Sequence, residues 1–112
     1  MTTDAVLVLT TVPVGEPGEA IARSLIDERL AACVNLLAPM TSIYRWEGRV
    51  EREVERQLII KTTIRQVEAL RTRLASLHPY QLPEFVVIEV ASGSSAYLDW
   101  VRASIGGGES AG

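Results

Sequence analysis

Within Arg49–Thr63 (RVEREVERQLIIKTT), acidic or amide residues alternate with apolar or basic ones from Val50 to Leu58, and no other feature constrains the fold as tightly. This is the two-residue period of a β-strand. It puts Val50, Val54, Leu58 and Ile60 on one face with Arg52 and Arg56, and Glu51, Glu53, Glu55 and Gln57 on the other. Glu47-Gly48 just before it reads as a turn. Ahead of the turn, Ala32–Trp46 is strand-like but interrupted by Pro39, a residue confined to bulges, bends and edges. The two segments predict a long antiparallel hairpin. Strands of about 14 residues at about 3.3 Å per residue run roughly 46 Å, whereas a domain of this length has a diameter of roughly 35 Å. The hairpin is therefore expected to project beyond its own domain with unpaired edges, which self-association in closed symmetry would cover. A break at Pro39 into two short strands is the alternative.

The other segments surround this hairpin. Ala5–Val12 (AVLVLTTV) is a continuous apolar run, expected as a central strand covered on both faces. A helix is expected from Glu16 or Pro17, with acidic Glu16 and Glu19 in its first turn and an apolar stripe of Ile21, Ala22, Leu25, Ile26 and Leu30. Thr63-Ile64-Arg65-Gln66 has the pattern of a capping box opening a second helix, with Ile64, Val67, Leu70, Leu74 and Leu77 at helical spacing before His78-Pro79. Phe85–Val90 is expected as a buried strand. Ser94–Ile105 is expected as a short helix with Tyr97, Leu98, Val101 and Ile105 inward. The order β-α-β-β-α-β plus a C-terminal helix is an α+β, ferredoxin-like arrangement over residues 1–105, followed by a flexible Gly-rich tail at 106–112. Parallel neighbouring strands with right-handed crossovers would place the helices on one face of a four-stranded sheet.

Composition limits the chemistry. One cysteine (Cys33) and one histidine (His78) exclude an intrachain disulfide and any metal cage of several thiols or imidazoles within one chain. The lone thiol points to a reducing cytoplasm. Asp4 stands where a leader peptide carries basic charge, and the longest apolar run, Ala5 to Leu9, is too short to span a bilayer. No membrane partner is expected. A net charge of −3 argues against nucleic-acid binding that relies on bulk charge.

Five segments in one order resemble the CutA divalent-cation tolerance proteins. They are Leu30-Ala31-Ala32-Cys33-Val34-Asn35, Ser42-Ile43-Tyr44-Arg45-Trp46-Glu47-Gly48, Lys61-Thr62-Thr63, His78-Pro79-Tyr80-Gln81-Leu82-Pro83-Glu84 and Tyr97-Leu98-Asp99-Trp100. The resemblance runs from about Ala5 to Ile105. It implies a ferredoxin-like homotrimer built by exchanging hairpin edges, a cytoplasmic setting, and a non-enzymatic role in tolerance of copper and other divalent cations. It also implies a copper site of one thiol near the end of the first strand and two successive histidines. Here Thr10 stands at the thiol position and Leu77 at the first histidine, so only His78 remains. Copper affinity rests on soft thiolate and imidazole ligands, so weak binding of copper or another divalent cation is expected. The candidate metal set is His78, the substituted position Thr10, and Glu84.

Each of these residues also has a structural role open to it. His78 ends a helix, where its ring can bond backbone or a carboxylate, and Cys33 can serve as a small buried hydrophobe. Glu51, Glu53 and Glu55, roughly 7 Å apart at alternate positions, can collect a cation or simply face solvent. Tyr44, Trp46 and Tyr80, with Lys61 for charge, form a candidate intersubunit cleft. That cleft supports a second reading: a trimeric signalling protein of the PII kind, binding a small molecule between subunits. The only glycine cluster lies in the tail, without a strand before it or a helix after it, which leaves nucleotide binding without a phosphate loop. An acylphosphatase-like enzyme would need a basic loop after the first strand, where Pro13–Pro17 carries acid instead. An RNA-binding sheet would need aromatics on strands that have none.

Overall fold

A computed structural model describes residues 3–106. Its elements are β1 (Ala5–Pro13), α1 (Glu16–Asp27), β2 (Cys33–Leu36), β3 (Met40–Trp46), β4 (Arg49–Thr63), a 3-10 turn (Ile64–Gln66), α2 (Val67–Leu77), β5 (Val86–Glu89) and α3 (Ser95–Ser104). The chain is an α+β fold in ferredoxin-like βαββαβ order with a long hairpin and a C-terminal helix. The sheet runs β2-β4-β1-β5, with β3 also paired to β4. All neighbouring strands are antiparallel, contrary to the parallel neighbours expected.

The hairpin turns at Glu47 (φ 50°) and Gly48 (φ 81°). Two positive φ angles make this a turn whose twist matches that of the strands it joins. The segment Ala32–Trp46 is two strands, both lying along the unbroken β4. Leu36 pairs with Leu58 and Met40 with Glu55, so Leu37, Ala38 and Pro39 stand opposite only Arg56 and Gln57. This is a one-residue slip, as in a bulge. Arg56 secures it, donating from Nε to the Leu37 carbonyl at 2.8 Å and from Nη2 to the Leu36 carbonyl at 3.3 Å. The chain measures 48 × 28 × 23 Å, with a radius of gyration of 14.9 Å, against about 13 Å for a compact domain of this length. The hairpin does project.

Cross-strand partners share a face, and this sorts the two sides of the sheet. Val6, Val8, Val12, Leu58 and Ile60 are buried against Ile21 and Leu25 of α1 and Leu70 and Leu74 of α2. An added Cβ on buried Gly18 would lie 2.9 Å from Val12 Cγ2, so α1 approaches β1 as closely as a glycine permits. The opposite face carries Leu7, Leu9, Ile59, Lys61, Val86 and Ile88. Here α3 covers only one end, marked by the 3.5 Å contact of Lys61 Nζ with Tyr97 Oη.

Several local expectations change. The strand expected to be buried at Phe85–Val90 is an edge, and Val86 and Ile88 are exposed. Leu98, Val101 and Ile105 are buried as expected, but Tyr97 is 44% exposed. No capping box forms. The Thr63 side chain caps nothing, and Gln66 donates instead to the Arg29 and Gly106 carbonyls. Gly106, expected in the tail, is tied by its N–H to the Arg29 carbonyl at 2.9 Å. The rest of the expected tail, 107–112, lies outside the described residues.

Candidate functional site

Three of the residues expected to carry chemistry, His78, Tyr80 and Glu84, gather where β1 ends against the middle of β4. Leu77 closes α2, and His78 turns to extended backbone (φ −79°, ψ 136°) because Pro79 disfavours a helical residue before it. The turn drives the His78 ring inward, leaving the residue 9% exposed. Both ring nitrogens are occupied. Nδ1 accepts from the Tyr80 N–H at 3.1 Å, so the proton sits on Nε2 and is donated to the Thr11 carbonyl at 2.7 Å. Burial lowers the pKa of His78 from its usual value, against the opposing pull of the Thr11 bond and the Glu55 charge. The imidazole is neutral.

Tyr80 packs on His78 with ring centroids 4.8 Å apart. Its hydroxyl donates to Glu55 Oε1 at 2.9 Å. Burial, the hydrogen bond to Glu55 and the nearby carboxylates push the Tyr80 pKa far up, so it remains a donor. Glu55 is 8% exposed. Gln57, on the same face, donates from Nε2 to the Thr10 carbonyl at 2.8 Å and to Glu84 Oε2 at 3.1 Å. Four segments are thereby joined: the end of β1, the middle of β4, the His78-Pro79-Tyr80 corner and the Glu84 loop.

Thr10 contributes its backbone to this cluster, but not its side chain. Its register partner is Leu58, its exposure is 0%, and its Oγ1 has no hydrogen-bond partner among the described residues. Among those residues no three Asp, Glu, His or Cys side chains converge as a metal group. The donor set does not fit a preformed copper centre. Its one imidazole has both nitrogens engaged, and the residue at the thiol position is a buried threonine.

The cleft residues lie along the projecting part. Tyr44 stands opposite Glu51, and Trp46 opposite Arg49. The Tyr44 pKa is raised by partial burial and then by Glu53, Glu51 and Glu55. Lys61 pairs with Cys33 and Leu7 at the other end of β4. At about 3.3 Å per residue, Lys61 and Trp46 are about 40 Å apart within one chain. Tyr80 and Tyr44 share the Glu55 neighbourhood, while Lys61 does not. No motif singles out Thr11 or Gln57, which act through a backbone carbonyl and a bridging amide. The alternation of β4 did place Gln57 beside Glu55, and that was the one available signal.

Comparison with known proteins agrees with this architecture. The family model described as CutA1 divalent ion tolerance protein matches residues 6–104. The divalent-cation tolerance protein CutA of Thermus thermophilus is 47% identical over 100 residues, covering 89% of this chain and 97% of the relative. The crystal structure of CutA from Xylella fastidiosa superposes with a TM-score of 0.89 at 45% identity, covering 92% of this chain and 99% of that one. A protein described as the periplasmic divalent cation tolerance protein CutA from Archaeoglobus fulgidus superposes with a TM-score of 0.86 at 32% identity, covering 89% and 97%. With the family pattern spanning almost the whole chain and near-complete relatives at this identity, the chain belongs to the CutA1 divalent ion tolerance protein family.

Proposed function

We propose that this chain works as a non-catalytic homotrimer in the cellular response to divalent cations, binding copper or a related cation weakly. The hairpin carries the reading. It extends a 48 Å molecule and exposes Ile43 at 69%, Val50 at 65% and Val54 at 47%. Apolar strands left this open call for a partner, and copies of the chain supply it in closed symmetry. In such a trimer, Tyr44 and Trp46 of one hairpin come within reach of Lys61 and Tyr80 across a subunit boundary, forming the cleft. The single cysteine supports a cytoplasmic setting. Neither a membrane nor a nucleic acid is part of the reading.

Cation binding centres on His78, with Thr10 at the substituted position and Glu84 tied through the Gln57 amide to the Thr10 carbonyl, next to the Thr11 carbonyl that His78 bonds. A cation reaches His78 only by displacing the Tyr80 N–H or the Thr11 carbonyl bond, and this cost keeps the affinity low. Sedimentation at micromolar concentration tests the assembly, and a folded 12.2 kDa monomer refutes it. Copper calorimetry on wild type and His78→Ala at pH 7 and pH 5.5 tests the site, because protons compete with metal for imidazole. Binding that is equal in both proteins removes His78 and leaves the Glu51, Glu53 and Glu55 face. Thr10→Cys, which restores a soft donor, is expected to tighten copper binding.

A further inference from the structure

An open groove of about 360 Å³ runs between α1 and β2. Its floor is apolar, with Ala22 and Ile26 on the helix and Val34 and Leu36 on the strand. β2 ends the strand path, and among the described residues no further strand pairs beyond it. Charge lies along the helix wall. Glu16, Glu19, Arg23 and Asp27 recur every three or four residues and so share one exposed face of α1. Arg23 is held by Glu19 at 2.8 Å, which leaves Glu16 and Asp27 without ion pairs among the described residues. The groove is apolar with an acidic wall.

The projecting hairpin carries the converse. Register places Thr41, Ile43 and Arg45 beside Val54, Arg52 and Val50 on one face, and all six are exposed. No acid shares that face in the paired strands, and neither Arg45 nor Arg52 forms an ion pair among the described residues. Two-fold pairing of this face with itself would set arginine against arginine, a destabilising contact of like charges. The α1–β2 groove of another copy offers opposite charge and apolar contact together. The lengths also agree. Val50 to Val54 spans about 13 Å of strand, and the 12 residues of α1 span about 18 Å.

We propose that the Ile43, Arg45, Val50, Arg52 and Val54 face of one hairpin docks in the α1–β2 groove of the next copy, its arginines against the Glu16 and Asp27 wall. The contact is heterologous, so every copy both inserts a hairpin and receives one, as closure of a ring requires. The inference rests on the homotrimer proposed for this chain, and cross-linking separates the two. In a Cys33→Ser background, Ile26→Cys combined with Val50→Cys is treated with oxidised glutathione. Disulfide-linked dimers and trimers are expected on a denaturing gel, because only thiols whose Cβ atoms lie about 4 Å apart can bridge. Either cysteine alone is expected to leave single chains. Val50→Cys combined with Ile88→Cys tests the open face of the sheet as the receiving surface, and links there with none at Ile26 overturn the inference while leaving the trimer intact. Charge reversal is the second readout. Arg45→Glu with Arg52→Glu is expected to raise the concentration at which the trimer dissociates by about tenfold, and adding Glu16→Arg and Asp27→Arg is expected to restore it. A trimer indifferent to the reversal overturns the inference alone. Wild type that sediments as a folded monomer overturns the trimer and the inference with it.

Discussion

Replacing Thr10 with valine tests whether its buried hydroxyl has a purpose. The side chain is 0% exposed and its Oγ1 has no partner among the described residues. Burying a hydroxyl without a hydrogen bond costs about 1–3 kcal/mol, and valine keeps the shape while removing that cost. Thr10→Val is therefore expected to stabilise the fold by about 1–2 kcal/mol, which at about 4–8 °C per kcal/mol for a domain near this size is a readily measured rise in unfolding temperature. Thr10→Ser separates the two halves of the side chain. It keeps the hydroxyl, loses a methyl worth about 0.8 kcal/mol, and is expected to destabilise. The assay is urea denaturation at fixed protein concentration, because any subunit association adds to apparent stability. A loss of about 1 kcal/mol or more in Thr10→Val would refute the reasoning, since it would mean the hydroxyl is satisfied in the native protein. A parallel loss of copper binding would then identify a cation as its partner.

Three further outcomes follow from the packing. The lowered pKa of His78 means that below its unfolded value, near 6.5, the unfolded chain takes up a proton that the folded chain resists. Stability should be intact above that pH and fall progressively below it; a denaturation midpoint that does not change between pH 7.5 and pH 5.5 contradicts the neutral-ring assignment. Tyr80→Phe removes the hydroxyl that donates to the buried Glu55 carboxylate and should cost about 1.5–3 kcal/mol in chemical denaturation. Gly18→Ala puts a Cβ 2.9 Å from Val12 Cγ2, so overpacking of about 1–3 kcal/mol should outweigh a helix-propensity gain of about 1 kcal/mol, giving a net loss by the same assay.

Features with a short-range cause could be read directly from the sequence. The alternation within Arg49–Thr63, the Glu47-Gly48 turn and the Pro79 helix stop all act within a few residues, and together they define the element order and the projecting hairpin. Features that depend on register between distant segments could not. The His78 ring meets a carbonyl 67 positions away, and Tyr80 meets Glu55 across 25. Nothing in local pattern says that β1 and the His78-Pro79-Tyr80 corner sit side by side. The same holds for Thr63 and Gln66: their spacing fits a capping box, but Gln66 is drawn instead to the carbonyls of Arg29 and Gly106. β5 misled because an apolar run looks alike in a central strand and in an edge strand.

The slip at Leu37-Ala38-Pro39 lets two strands whose registers differ by one residue share the single partner β4. In β2 the even-numbered Val34 and Leu36 share a face with even-numbered Ile60 and Leu58, whereas in β3 the even-numbered Tyr44 and Trp46 share one with odd-numbered Glu51 and Arg49. The tight turn anchors β3 to β4 at one end, and core packing of Val34 and Leu36 anchors β2 at the other. The slip absorbs the one residue by which the two registers differ, so each strand keeps its own face against β4. Removing one residue from Leu37-Ala38-Pro39 would leave two residues opposite Arg56 and Gln57, an unbroken ladder in which Tyr44 and Trp46 still meet Glu51 and Arg49. What would be lost is the local bend and the pair of carbonyls that Arg56 holds there.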